Sequence, residues 1–179
     1  MKNLTMKNNF RIDIPDNGAT ETFQWQIQTA TIPGVNMEVA SVSRGPKYSK
    51  LANNNIAGSG TSYDDLSIQF LVDEEMRTYA ELYKWMITMN NPTGPSNSDG
   101  KVPVTMLLHV LDNNKDKVIA TYRFINPFPK SLSAIEWNYT ESGDVETVTC
   151  DVEFEYAYFE MIHKVDGKEI TISPYTDSL

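Results

Sequence analysis

Three carboxylates stand at alternate positions near the end of the chain, Asp151, Glu153 and Glu155. Paired carboxylates are the tools of glycoside hydrolysis, but that chemistry needs them on two sides of a substrate. Residues two apart on a flat strand point the same way, so these three read as a solvated acidic ladder. The two histidines, His109 and His163, both fall inside strand patterns with no nucleophile or partner base in register. Cys150 is the single cysteine and points to the core side of its strand by alternation, where a thiol is a small inert apolar group. The segment Asp112-Asn113-Asn114-Lys115-Asp116 has the first three ligand positions of a calcium loop. It then has Lys117 in place of the sharp-turn glycine and Arg123 in place of the bidentate glutamate, so it reads as a hairpin turn. There is no glycine-rich phosphate loop, nucleophile elbow or zinc spacing. The expectation is a protein that is not an enzyme, with no catalytic residue, no metal site and no cofactor.

The elements that carry these residues are mostly strands. The chain is organised around Tyr63 to Asn90, where Leu66, Ile68, Phe70 and Val72 alternate with polar residues and lead directly into a helix. Asp73 is a suitable N-cap, and Glu74 and Glu75 put negative charge in the first turn. Met76, Tyr79, Ala80, Tyr83, Met86 and Ile87 recur at helical spacing and predict the face turned to the sheet. Leu82, Trp85 and Met89 form a second apolar row, which is more apolar surface than a helix touching one sheet needs. Asn90-Asn91-Pro92 ends the helix. The spacing predicts one long helix in the chain.

The 179 residues suit one domain, and a composition that is 40% apolar can build a core. The net charge of −9 argues against a protein that grips nucleic acid, because grip comes from cations neutralising phosphates. It permits one past which nucleic acid slides. A single cysteine fits a reducing compartment. The first thirty residues lack the apolar core of a signal peptide, and no run approaches a membrane span, so no membrane anchoring is expected. The sequons Asn3-Leu4-Thr5 and Asn138-Tyr139-Thr140 are then not exposed to glycosylation.

Along the chain, Phe10, Ile12 and Ile14 alternate, turn chemistry follows at Pro15 to Gly18, and Phe23, Trp25 and Ile27 alternate again, predicting a hairpin. Val35 to Ser43 reads as a strand. From Arg44 to Ser62 the pattern fails over a length unusual for a loop in a compact domain. Such a segment is either a floppy surface loop or an arm that docks on a neighbour and orders there; its content favours the arm, with Arg44, Lys47 and Lys50 as cations in an acidic protein and Tyr48, Leu51 and Ile56 as anchors. Strands follow over Val102 to Leu111 and Val118 to Phe124, then a stiff corner at Asn126 to Pro129, then an alternation at Ile135, Trp137 and Tyr139. One long strand carries Val148, Cys150, Val152, Phe154, Tyr156 and Tyr158 on its core face. A hairpin around Asp166-Gly167 and a tail complete the chain. The result is a single, mainly β and mostly antiparallel domain over 1–179 with one helix, a long arm at 44–62, and a C-terminal hairpin plus tail at 160–179.

Four stretches in order give a more specific reading. They are Gln28-Thr29-Ala30-Thr31-Ile32-Pro33-Gly34, Ile56-Ala57-Gly58 before Tyr63-Asp64-Asp65-Leu66-Ser67-Ile68, Val72-Asp73-Glu74-Glu75 with the helix through Lys84-Trp85, and Pro127 to Tyr158 with Ile135, Trp137, Tyr139, Thr147 and Tyr156. The chain resembles the tail tube family of contractile-tailed bacteriophages, which includes tube proteins, baseplate tube initiators and, more distantly, the Hcp protein of type VI secretion. The matches are to "ATxLP", "xAGxxxxDDWTV", the family's helix with its Trp, and "P…LxWxxxxxxxTFxVxxxxxY", and they span roughly Phe23 to Phe159.

The resemblance implies an antiparallel β-barrel or two-sheet sandwich with one flanking α-helix, and hexameric rings that stack into a tube, with sheets of the six copies joined around a channel for phage DNA that passes without specific binding. It implies sheath and baseplate or neck proteins as partners, and a place in the virion tail after assembly in the host cytoplasm. On this reading the arm reaches a neighbouring copy, Leu82, Trp85 and Met89 face another subunit, and Asp151, Glu153 and Glu155 line the lumen. The main tube subunit is the first expectation. The extra C-terminal hairpin lies past the resemblance and fits an initiator or adaptor ring at the baseplate or neck. A monomeric β-barrel that binds a small ligand in its interior is the alternative of another class.

Overall fold

The computed structural model describes residues 4–14, 26–43, 53–89, 105–137, 147–165 and 168–175. Eleven strands and one helix are seen among them. Strands β1 (Phe10–Asp13), β6 (Thr105–Leu111), β7 (Val118–Ile125), β10 (Tyr158–Val165) and β11 (Lys168–Ile172) form a five-stranded antiparallel sheet in the order β1-β6-β7-β10-β11. Strands β2 (Ile27–Thr31), β5 (Leu66–Leu71), β8 (Phe128–Leu132) and β9 (Thr149–Glu155) form a four-stranded antiparallel sheet in the order β2-β5-β9-β8. Among the described residues, strands β3 (Val35–Ser43) and β4 (Asn53–Tyr63) pair only with each other, as a two-stranded ribbon. Helix α1 spans Arg77–Met89.

The core lies between the two larger sheets. Ile12, Met106, Leu108 and Phe124 come from the five-stranded sheet, and Leu66, Ile68, Phe70, Cys150, Val152 and Phe154 from the four-stranded one. Leu82 and Trp85 enter from the helix. The alternation on β5 and β9 is what makes this possible: every second residue is fully buried and its neighbours are not. This is a two-sheet sandwich with one flanking helix, mainly β and antiparallel.

Several expectations are corrected. The expected hairpin partner of β1, the alternation Phe23, Trp25 and Ile27, lies outside the described residues except for Ile27, which begins β2; β1 pairs with β6 and β2 with β5, in different sheets. The expected loop over 44–62 contains β4 from Asn53 onward; its side chains show no apolar alternation because the ribbon has no core face to fill. The expected long strand through Tyr158 is two strands. After Glu155 the chain leaves the four-stranded sheet, Ala157 N–H donates to the Ile125 carbonyl at 2.9 Å, and β10 runs in the other sheet. The alternation continues through the crossing because both sheets share one core. The expected corner at Phe128-Pro129 is strand β8, where proline is tolerated because β8 is an edge. Ile135 and Trp137 lie in no strand, and Tyr139 lies outside the described residues.

The helix starts later than expected. Asp73 to Met76 forms a turn, with the Met76 N–H donating to the Asp73 carbonyl at 2.9 Å and Met76 at φ 53°. The Asp73 carboxylate then accepts from the backbone N–H groups of Arg77 and Thr78, each at 3.1 Å. Asp73 therefore supplies the capping chemistry from four residues ahead, and no acid sits in the first turn.

Candidate functional site

Cys150, Val152 and Phe154 are driven inward by their apolar side chains, so the intervening Asp151, Glu153 and Glu155 stand exposed on the outer face of the four-stranded sheet. Register sets their neighbours. Gln69 lies beside Asp151, Ser67 and Ser131 beside Glu153, and Thr29 and Thr31 follow on β2. The Ser131 hydroxyl donates to Glu153 Oε2 at 2.7 Å. Lys130 Nζ lies 2.9 Å from Asp65 Oδ2 and 3.7 Å from Glu155 Oε2. The hydrogen bond to Asp65, then the Asp65 charge, holds the ammonium above its usual pKa. The face is thus a polar surface of hydroxyls and amides crossed by a ladder of three acids.

The outer face of the five-stranded sheet differs: its charges are paired. Arg11 Nη2 lies 2.7 Å from Asp13, His109 Nε2 lies 3.3 Å from the same carboxylate, and His109 Nδ1 lies 2.8 Å from the Thr121 hydroxyl. Arg123 is ion-paired to Glu160, which also accepts from Ser173 Oγ at 2.9 Å. Desolvation pushes the Glu160 carboxyl upward, but the hydrogen bonds from Arg123 and Ser173 outweigh it and leave the pKa lowered. Both expected non-catalytic histidines lie on strands of this sheet. Among the described residues no group of three or more His, Cys, Asp or Glu is arranged to hold a metal ion.

The ribbon is the third surface. Val35, Met37 and Val39 share one face of β3 by alternation and are 56%, 62% and 61% exposed. The root of the ribbon is anchored: Asp64 N–H donates to the Gly34 carbonyl at 3.1 Å, and the Tyr63 ring packs 5.3 Å from that of Phe159. The Tyr156 hydroxyl donates to the Asp64 carbonyl at 2.7 Å, and burial, then the charges of Asp65 and Asp64, raises its pKa. Of the expected arm residues, Ile56 lies on β4 and is exposed. Arg44, Lys47, Tyr48, Lys50 and Leu51 lie outside the described residues. The stripe Val35-Met37-Val39 was visible as an alternation but reads in the sequence as an ordinary half-buried strand.

The helix faces differ from the expectation: of the row expected against the sheet Tyr79 packs on the core, but Tyr83 and Ile87 are exposed. Leu82 and Trp85 are buried in the core and Met89 packs half-buried against it, so Leu82 and Trp85 form no intersubunit surface. The inward stripe is Thr78, Leu82, Trp85 and Met89. Periodicity missed it because Thr78 is polar; its hydroxyl is satisfied by the side-chain carbonyl of Gln26. The apolar residues left exposed are Tyr83 and Ile87. With Met86, Met89, Phe128, Pro129 and Lys130 they line an open groove of about 510 Å³ between α1 and β8.

Comparison with known proteins gives one consistent result. Residues 3–162 match the family model described as phage tail tube protein. The chain is 33% identical over 163 residues, 90% of each chain, to the tail tube terminator protein of Enterobacteria phage T4. Among solved structures, a chain of the anti-feeding prophage baseplate superposes with a TM-score of 0.67 at 12% identity, covering 91% of this chain and 98% of that one. A chain of the anti-feeding prophage tube-terminating cap superposes with a TM-score of 0.65 at 12% identity, covering 92% and 94%. A family match over residues 3–162 and 33% identity over 90% of both chains to a tail tube terminator place this chain in the phage tail tube protein family.

Proposed function

We propose that this protein is a structural component of a phage tail and acts as the ring that ends the tail tube, at the neck. The observation that carries the reading is the 33% identity, over 90% of both chains, to the tail tube terminator of phage T4. This favours an adaptor-type ring over the main tube subunit that the sequence resemblance put first. Copies of the chain, six to a ring, stack on the last tube ring, with neck and sheath proteins as the other partners. The protein is assembled in the host cytoplasm and carried in the virion.

In such a ring the four-stranded sheet faces the channel. Its outer face carries Asp151, Glu153 and Glu155, with Lys130 as the cation beside Glu155, while on the five-stranded sheet Arg11 pairs with Asp13 and Arg123 with Glu160. An acidic wall repels phosphates, and at physiological salt that repulsion reaches only about 8 Å. It therefore keeps DNA from sticking to the wall without opposing its passage down the middle. The Val35-Met37-Val39 stripe and Ile56 on the ribbon dock on a neighbouring copy. An isolated two-stranded hairpin is marginal in water, and this one exposes most of its described side chains.

The test is assembly with the cognate tube subunit. The terminator reading expects the protein to bind tube ends and stop elongation, and not to form long tubes alone. Long tubes from the purified protein alone would return it to the role of main tube subunit. A monomer that ignores tube ends and holds a ligand inside would support the binding-module alternative.

A further inference from the structure

Strands β3 and β4 do not pair evenly. Val35, Asn36 and Met37 stand opposite Tyr63, Ser62 and Thr61, and pairing resumes at Val39 opposite Ala57. Between the two registers β3 contributes Glu38 alone, and β4 contributes Gly58, Ser59 and Gly60. Extra residues on one strand bend it and increase its local twist. The bend separates the anchored root, with Val35 and Tyr63, from the outer half, which carries Val39, Val42 and Ile56.

The two glycines are there for space. Neither has φ in the left-handed region. A Cβ on Gly58 would lie 2.7 Å from the Glu38 carbonyl oxygen and 3.1 Å from its carbonyl carbon, an obstacle made of backbone. A Cβ on Gly60 would lie 2.8 Å from Glu38 Oε2 and 2.9 Å from Cδ, the end of a flexible side chain. The wide strand thus wraps closely around Glu38, at Gly58 through the main chain and at Gly60 through the side chain.

We propose that the bulge of Gly58-Ser59-Gly60 around Glu38 aims the ribbon. It fixes the direction in which the outer half leaves the body, and so decides whether Val39, Val42 and Ile56 meet a second copy of the chain. This rests on the reading that the ribbon docks on a neighbouring copy. Gly58, held against the Glu38 main chain, is the positioning residue; Gly60 meets only the movable Glu38 side chain.

The test separates direction from docking. Spin labels at Ser41→Cys and Thr171→Cys, both exposed sites, report the angle of the ribbon, with buried Cys150 left unlabelled. The unsubstituted bulge and Gly60→Ala should give the same single distance, because the Glu38 side chain can move aside. Gly58→Ala should shift or broaden it. Deleting Ser59 and Gly60 together restores one-to-one pairing and should shift it as well. In parallel, Gly58→Ala should weaken association between copies by about tenfold or more, with the melting of the body unchanged. Any smaller loss in Gly60→Ala should be recovered by adding Glu38→Ala, which cannot recover Gly58→Ala. An unchanged distance in Gly58→Ala or in the deletion variant would overturn the proposal, as would an equal shift in Gly60→Ala. If the parent chain shows no association with itself or with tube ends, the docking reading fails, and the label distances still decide whether the bulge sets direction.

Discussion

The indole ring of Trp85 lies 5.7 Å, centroid to centroid, from the ring of Phe154. Phe154 sits between Glu153 and Glu155 on β9, so the helix holds the acidic strand from behind while its carboxylates face out. Helix α1 is therefore the support of the proposed channel wall.

Trp85 is fully packed, but its Nε1–H has no partner among the described residues. Its contribution is burial and ring contact. Trp85→Ala should cost about 3–5 kcal/mol of stability, and Trp85→Phe much less, since it loses area but no hydrogen bond. Denaturant unfolding followed by circular dichroism checks both.

That Trp85 and Leu82 are core residues was not legible in the sequence. Two apolar rows run along the helix, and period alone does not rank them. Thr78 hid the buried row, because its polar type breaks the pattern and its partner Gln26 is 52 residues away. By contrast β5 and β9 were legible residue by residue, because one face is buried and one wet, and so was the turn between β6 and β7 at Asp112 to Asp116. Strand β4 was not, because Asn53–Tyr63 pairs with one strand only and faces no core. The acidic ladder was read correctly as exposed; which protein or channel it faces is a property of the assembly and not of one chain.

Asp73 caps α1 across a turn, by accepting from two backbone N–H groups. Asp73→Ala should destabilise the protein by about 0.5–2 kcal/mol, with Asp73→Asn nearer the parent. Thermal melts of the three proteins at neutral pH measure it.

Glu160 gives a pH prediction with a definite sign. Its pKa is lowered in the folded state from a reference of 4.5. The stability it contributes is therefore fully present above about pH 4.5 and is lost as pH falls through the lowered folded value. Asp73, lowered from 3.8, acts in the same direction at lower pH: desolvation raises it, and the hydrogen bonds from Thr78 and Arg77 prevail. Glu160→Gln should melt below the parent at pH 7, and the gap should close as the pH drops below the reference value. A gap that stays constant down to pH 3 would mean that the Arg123 pair is not what lowers it.

The ribbon predicts a separation of folding from assembly. Met37→Ser with Val39→Ser, or Ile56→Ser alone, should change stability by no more than about 0.5 kcal/mol per site, because these side chains are exposed in the free chain. Binding to tube ends should fall steeply. Sedimentation of the variants with and without tubes distinguishes the two effects.

The central claim is that this chain forms a ring at the end of a tail tube with the acids of β9 toward the channel. An electron cryo-microscopy reconstruction of the protein bound to its tube end tests it most directly. The account predicts a closed ring whose inner wall is the four-stranded sheet, with Asp151, Glu153 and Glu155 facing the axis and the ribbon seated on a neighbouring copy. A ring with those three carboxylates on its outer wall, or buried in a protein interface, would contradict it.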